Sequence, residues 1–247
     1  MGATAMRRYV VLTVMLIFGL TSWGHARDKV LVVAEEFPPF VYRDGDRITG
    51  VSVDICRAVF ERLKVPYEIR IYPWSRAWMM MEKGHADVAL DVSYAAARED
   101  VVQYSDDQRA YPKTGTLTKD YLWMGHYVFF VNRRLADSVT FTSYEQLREA
   151  GYRIGVNRGY TYEPALLEAD LDLIYSNHPT DSFKQLLAGE IDLYVCERTV
   201  GISFLRRKEF ERDITFLRKP AFSKPYLVAF SKLSDYPNLG TVHDWFY

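Results

Sequence analysis

The stretch "MEKGHADVALDVS" (residues 81–93) decides how this chain is read. A helical segment ends at Gly84, Asp87 follows, and an apolar strand then closes on polar groups. "LLAGEIDLYVCE" (186–197) repeats that order, with Gly189 and Asp192 in the same relation. A glycine suits the left-handed residue that ends a helix. The two aspartates read as structural groups that meet turn amides. The likeness is short, and it points to two halves of similar design.

Working outward, "KVLVVA" (29–34) is a short valine-rich run and reads as a buried parallel strand. Pro38, Pro39 and the Asp44-Gly45 pair then mark a loop and a turn. Ile55, Val59 and Leu63 fall at helical spacing beside Cys56 and Phe60. "YEIRIY" (67–72) reads as a strand, "SRAWMMMEK" (75–83) as a helix, with Trp78 and Met79 to Met81 as core. Arg76 reads equally as a cleft-mouth or a surface residue. In the second half "RIGVN" (153–157), "LDLIYS" (171–176) and "IDLYVCE" (191–197) are strands. "YTYEPALLEA" (160–169) begins one helix and "DSFKQLLA" (181–188) is another. Alternating strands and helices predict an α/β fold with a mainly parallel sheet. "YLWMGHYVFFV" (121–131) and "FLRKPAFSKPYLVAF" (216–230) read as extended segments crossing between the halves. Ligands of open α/β sheets bind beyond the carboxyl ends of the strands. Two facing sheets place those ends across one cleft.

Composition bounds the rest. The 247 residues are 49% hydrophobic and 26% charged, which fits a globular chain of one large or two modest lobes. Arg7 and Arg8 precede the apolar run "YVVLTVMLIFGL" and the small residues Gly24 and Ala26. That pattern predicts a signal peptide cleaved after Ala26, since the run is well short of the ~20 apolar residues of a membrane span. Losing both arginines takes the formal net charge from −1 to −3 and leaves no basic block to track a phosphate backbone, so no nucleic acid partner is expected. Cys56 and Cys196 lie far apart in apolar runs and read as buried free thiols. With no cysteine after the cleavage site to carry a lipid, the expectation is a soluble periplasmic monomer. The histidines (His25, His85, His126, His178, His243) show no metal spacing. No metal or cofactor is expected.

Four segments carry a family resemblance: "FPPFVYRDGDRITGVSVDI", "GHADVALDVSYAAARED", "RIGVNRGYTYE" and "GEIDLYVCE". In order, across residues 29–232, they resemble the family 3 bacterial extracellular solute-binding proteins, the polar amino acid-binding components of ABC transporters. The resemblance implies a two-lobed periplasmic-binding-protein (Venus flytrap) fold, type II-like, with two crossovers. After a signal peptide (1–26), residues 27–122 and 221–247 form a discontinuous first lobe and 123–220 the second. It also implies capture of an amino acid for a membrane permease. On the matching positions, Arg98 clamps the ligand carboxylate, as a planar guanidinium can with two parallel hydrogen bonds, and Ser93 adds a hydroxyl. Phe37 and Trp74 form facing walls. Thr161 meets the carboxylate, and Glu197 stands where the family places an acid against the ligand ammonium.

Departures from the family pattern are as informative. Tyr160 replaces a small residue and fills part of the cleft. Asp91 replaces a glycine or serine, and reads equally as a second acid in the pocket or as the cap of a neighbouring turn. "AAAR" stands where the family has "T-P-E-R". After "YLVAFSK" only "LSDYPNLGTVHDWFY" remains, either a shortened terminal helix or the mark of a truncated relative. The rival reading is an enzyme. Cyclohexadienyl (arogenate/prephenate) dehydratases share the fold and carry a catalytic glutamate at the place of Glu163. A binding protein is the reading adopted, because both zwitterion charges, Arg98 and Glu197, are present.

Overall fold

The computed structural model describes residues 28–115, 119–207 and 210–247. The proposed signal peptide lies outside the described residues. Strand β1 (Val30–Ala34) is almost wholly buried and lies between two parallel neighbours, β4 (Tyr67–Ile71) and β5 (Val88–Val92). β4 alternates half-buried with exposed residues, as an edge strand with one covered face does. β2 (Tyr42–Asp44) and β3 (Arg47–Thr49) form a separate hairpin around the Asp44-Gly45 turn. Helix α1 (Val51–Leu63) buries Ser52, Val53, Cys56 and Phe60, and α2 (Trp74–Glu82) buries Trp74, Ala77 and Met81. Met79 is 47% exposed, which corrects its assignment to the core: it lies on the outer face of α2.

After the two-residue strand β6 (Val102–Gln103) and helix α3 (Asp106–Thr114), the chain enters β7 (Trp123–Asn132). The second half then builds α4 (Tyr144–Glu149), β8 (Arg153–Asn157), α5 (Pro164–Glu168), β9 (Asp172–Ser176), α6 (Pro179–Ala188), β10 (Leu193–Glu197), α7 (Arg198–Arg207) and β11 (Ile214–Phe216). It returns through β12 (Phe222–Ser231) and ends in α8 (Leu239–Phe246). The sheet order is β4-β1-β5-β12-β7-β10-β8-β9, with β6 on β12 and β11 on β7. Each half contains a parallel set, β4-β1-β5 and β10-β8-β9. The long strand β12 pairs antiparallel with β5, β7 pairs antiparallel with β10, and the two pair antiparallel with each other, so the sheet is less parallel than expected. The difference follows from the crossings, because one strand leads out and the other leads back.

The internal repeat is physical. Gly84 and Gly189 adopt φ of +66° and +70°, the left-handed turn that lets each helix end. Leu31 N–H then donates to Asp87 Oδ2 at 2.7 Å, and Asp87 N–H to Leu31 O at 3.0 Å. In the second half Arg153 N–H donates to Asp192 Oδ2 at 2.9 Å, and Asp192 N–H to Arg153 O at 2.9 Å. Both aspartates thus pin the start of one strand to the start of its neighbour. The helix read into "YTYEPALLEA" begins only at Pro164, because proline fits the first helical turn and cannot follow a turn already formed.

Candidate functional site

A cavity of about 30 Å³ lies where the carboxyl ends of β1 and β5 meet the loop after β8. Two acids stand at those strand ends. Val33 pairs with Ala89, so the parallel register carried two steps onward brings Glu35 level with Asp91. Between the pairs Ala89–Ala229 and Val92–Leu227, β5 uses one residue more than β12. Asp91 occupies this bulge at φ +55°, a left-handed conformation that aspartate tolerates better than most residues. Its Oδ1 accepts from the Ser52 hydroxyl (2.6 Å) and Trp123 Nε1 (3.0 Å), while Oδ2 is buried without a partner among the described residues. Both alternatives read for Asp91 therefore hold part of the truth, since it faces the cavity and also meets the first turn of α1. Glu35 Oε2 accepts from the Tyr160 hydroxyl at 2.7 Å, and Oε1 is likewise buried and unpartnered among the described residues. Burial pushes Glu35 up to about 7 and Asp91 up to about 6.

Arg98 supplies the opposite charge. It is only 8% exposed, and it donates to Ser93 O (3.0 Å) and Gly159 O (3.1 Å). No carboxylate pairs with it among the described residues. Burial pulls its pKa down, but a guanidinium starts so high that it stays charged. The cation lies 4.6 Å from the Trp78 ring centroid and 5.4 Å from that of Trp74. Trp78, expected as plain core, therefore seats the guanidinium and also donates through Nε1 to Glu82 at 2.8 Å. Lys224, from β12, is the second cation, and its amine donates to Thr161 O.

Aromatic rings close the walls. Trp74 opens α2 and donates through Nε1 to Gly159 O at 2.8 Å. A side chain at Gly159 would press on the Trp74 ring, its Cβ only 3.1 Å from Cδ1. Phe37 meets Tyr160 edge-on at 6.2 Å and Tyr226 at 5.8 Å. Behind them Phe40 stacks on Trp123 at 3.6 Å, and Trp123 on Tyr226 at 4.2 Å.

A family model described as bacterial extracellular solute-binding proteins, family 3, matches residues 30–160, more than half of the chain. The chain belongs to that family. Among solved structures, this solute-binding protein resembles a histidine kinase sensor domain with similarity to periplasmic binding proteins (TM-score 0.72, 20% identity, 90% of each chain). It also resembles an ancestral arginine-binding protein bound to arginine (TM-score 0.67, 20% identity, 90% of this chain and 92% of that one). A third likeness is to the substrate binding protein of an amino acid ABC transporter (TM-score 0.64, 21% identity, 88% and 91%). At these identities the likenesses establish the periplasmic-binding-protein fold.

Of the site residues expected for this solute-binding protein, Phe37, Trp74, Asp91, Ser93, Arg98, Tyr160 and Thr161 line the cavity. Glu197 does not. It occupies the N-cap of α7, where Oε2 accepts from Val200 N–H at 2.8 Å and Oε1 from His126 N–H at 3.3 Å. Both oxygens thus meet backbone amides, as at a helix N-cap, and the cavity lining lends no support to its expected place against a ligand ammonium. Glu163 also lies off the cavity lining, with its carboxylate taking the Tyr144 hydroxyl. Glu35, Tyr127, Lys224 and Tyr226 line the cavity and were missed. Lys224 is the one cation of β12, which could have flagged it; Glu35 follows directly on an apolar strand, where a glutamate is ordinarily solvated, so no local signal marked it.

Proposed function

We propose that the protein captures an amino acid, or a similar small zwitterion, for an ABC transporter permease after export to the periplasm. Arg98 takes the carboxylate. Glu35 and Asp91, in place of Glu197, take the ammonium on their unpartnered oxygens. The observation that carries this reading is a guanidinium at 8% exposure whose hydrogen-bond partners are carbonyl oxygens. Burying a cation without an anion is unfavourable, and a ligand carboxylate supplies the missing partner. Two acids with spare acceptor capacity in the same cavity complete a zwitterion site. The likeness to an arginine-binding protein and to an amino acid transporter's binding protein supports that choice of ligand.

Titration calorimetry against a panel of the common amino acids tests it. At least one should bind the parent, and Arg98→Ala should lose about a hundredfold or more, since stripping one partner from a desolvated pair costs about 3–5 kcal/mol. A variant binding as tightly as the parent, or a parent that binds no amino acid, overturns the proposal.

A further inference from the structure

Lys224 has no part in the reading above. Its amine sits 4.7 Å from the Tyr127 ring centroid and 5.3 Å from that of Tyr226, and no carboxylate pairs with it among the described residues. Lys224 and Arg98 line one cavity and hold the carbonyls of Thr161 and Gly159, close together on a single loop. Burial and the charge of Arg98 both pull the lysine well below its ordinary pKa. Two desolvated cations thus repel each other in a cavity where neither has an anionic partner. An anion between them removes that repulsion and supplies both missing partners.

We propose that Lys224 is a second anchor for the ligand carboxylate, which bridges its amine and the Arg98 guanidinium. The proposal rests on the reading that the ligand carries a carboxylate. The groups that face Lys224 are Arg98, Tyr127 and Tyr226, with Tyr160, Glu35 and Asp91 sharing the cavity. An anion beside the amine raises its pKa, so a proton is taken up there on binding. An ammonium beside Glu35 and Asp91 has the opposite effect and releases protons. Binding therefore carries two proton linkages of opposite sign, and only the uptake belongs to Lys224.

The experiment is calorimetry with the tightest-binding amino acid of the panel, from pH 7 to 8.5, in two buffers of different ionisation enthalpy. The parent is compared with Lys224→Met and with Lys224→Gln, which keeps an N–H donor for Thr161 O. Both variants should bind at least tenfold more weakly than the parent at pH 7 and lose the proton uptake. The gap should narrow as pH rises and the parent's amine loses its charge; the ligand's own ammonium titrates equally in all three. Wild-type affinity in Lys224→Gln, or weakened binding with proton uptake unchanged, overturns the proposal and leaves the Arg98 reading standing. A parent that binds no amino acid overturns both.

Discussion

Glu35 and Asp91 hold their carboxyls in the same low-dielectric cavity, so protonation there is tied to folding. The sign follows from the direction of the shifts. Each group is raised in the folded protein, Glu35 from 4.5 to about 7 and Asp91 from 3.8 to about 6, so the folded state binds more protons than the unfolded chain across those windows. Stability therefore falls as pH rises from about 4 to 7. Glu35→Gln keeps an acceptor for Tyr160 and removes the charge. It should flatten that fall and leave the variant more stable than the parent at pH 8, by up to about 3 kcal/mol; urea unfolding at pH 5 and pH 8 reads it. Residues at family motif positions, such as Phe37, Trp74 and Arg98, were legible because the motif itself places them at strand and helix ends. Glu35 was not, since a glutamate after a strand is ordinarily solvated, and only the register of β1 on β5 shows that it enters the cavity. Glu197 stands at the end of β10 as the motif places it, but α7 begins at the next residue and its amides bond the carboxylate, which no strand pattern records.

At the scale of elements, the bulge in β5 leaves Val228 of β12 outside the ladder between its paired neighbours, Leu227 and Ala229. The last residue of the chain repairs this. The Tyr247 hydroxyl accepts from Val228 N–H at 2.9 Å and donates to Val228 O at 2.8 Å. Helix α8 brings Tyr247 there by packing Phe246 on Phe60 and Phe230. The short C-terminal segment thus forms a helix against α1 and β12. Tyr247→Phe strips two backbone groups of one partner and should cost about 1–3 kcal/mol in denaturant unfolding. The strands of the two parallel sets were legible because their apolar runs are short and bounded, whereas the two- and three-residue strands β2, β3, β6 and β11 are too short to show a pattern. Helix α3 was not, although Ser105 and Gln108 form a capping box ahead of it, because "DDQRAYPKT" carries no apolar stripe and contains Pro112. The crossing strands were legible as extended segments, but their antiparallel pairing depends on where the chain returns, which no local pattern records.

Across the whole molecule, the two halves contribute unequally to the site. Glu35, Asp91 and Arg98 lie before the crossing on β7, and Lys224 lies on the returning strand β12. The second half supplies the loop with Gly159, Tyr160 and Thr161, which bonds to Trp74, Arg98, Glu35 and Lys224. Sequence reading set the ligand's charges across the cleft, with Arg98 on one side and Glu197 on the other. The structure gathers both signs around β1, β5 and β12, and gives the second half the closing contacts. The most direct test is the affinity of the tightest-binding amino acid relative to its des-amino analogue, measured by calorimetry at pH 7.5. The parent should prefer the amino acid by tenfold or more, as should Glu197→Gln, and the preference should collapse in the Glu35→Gln, Asp91→Asn double variant. A preference that survives in the double variant and collapses in Glu197→Gln would contradict the account.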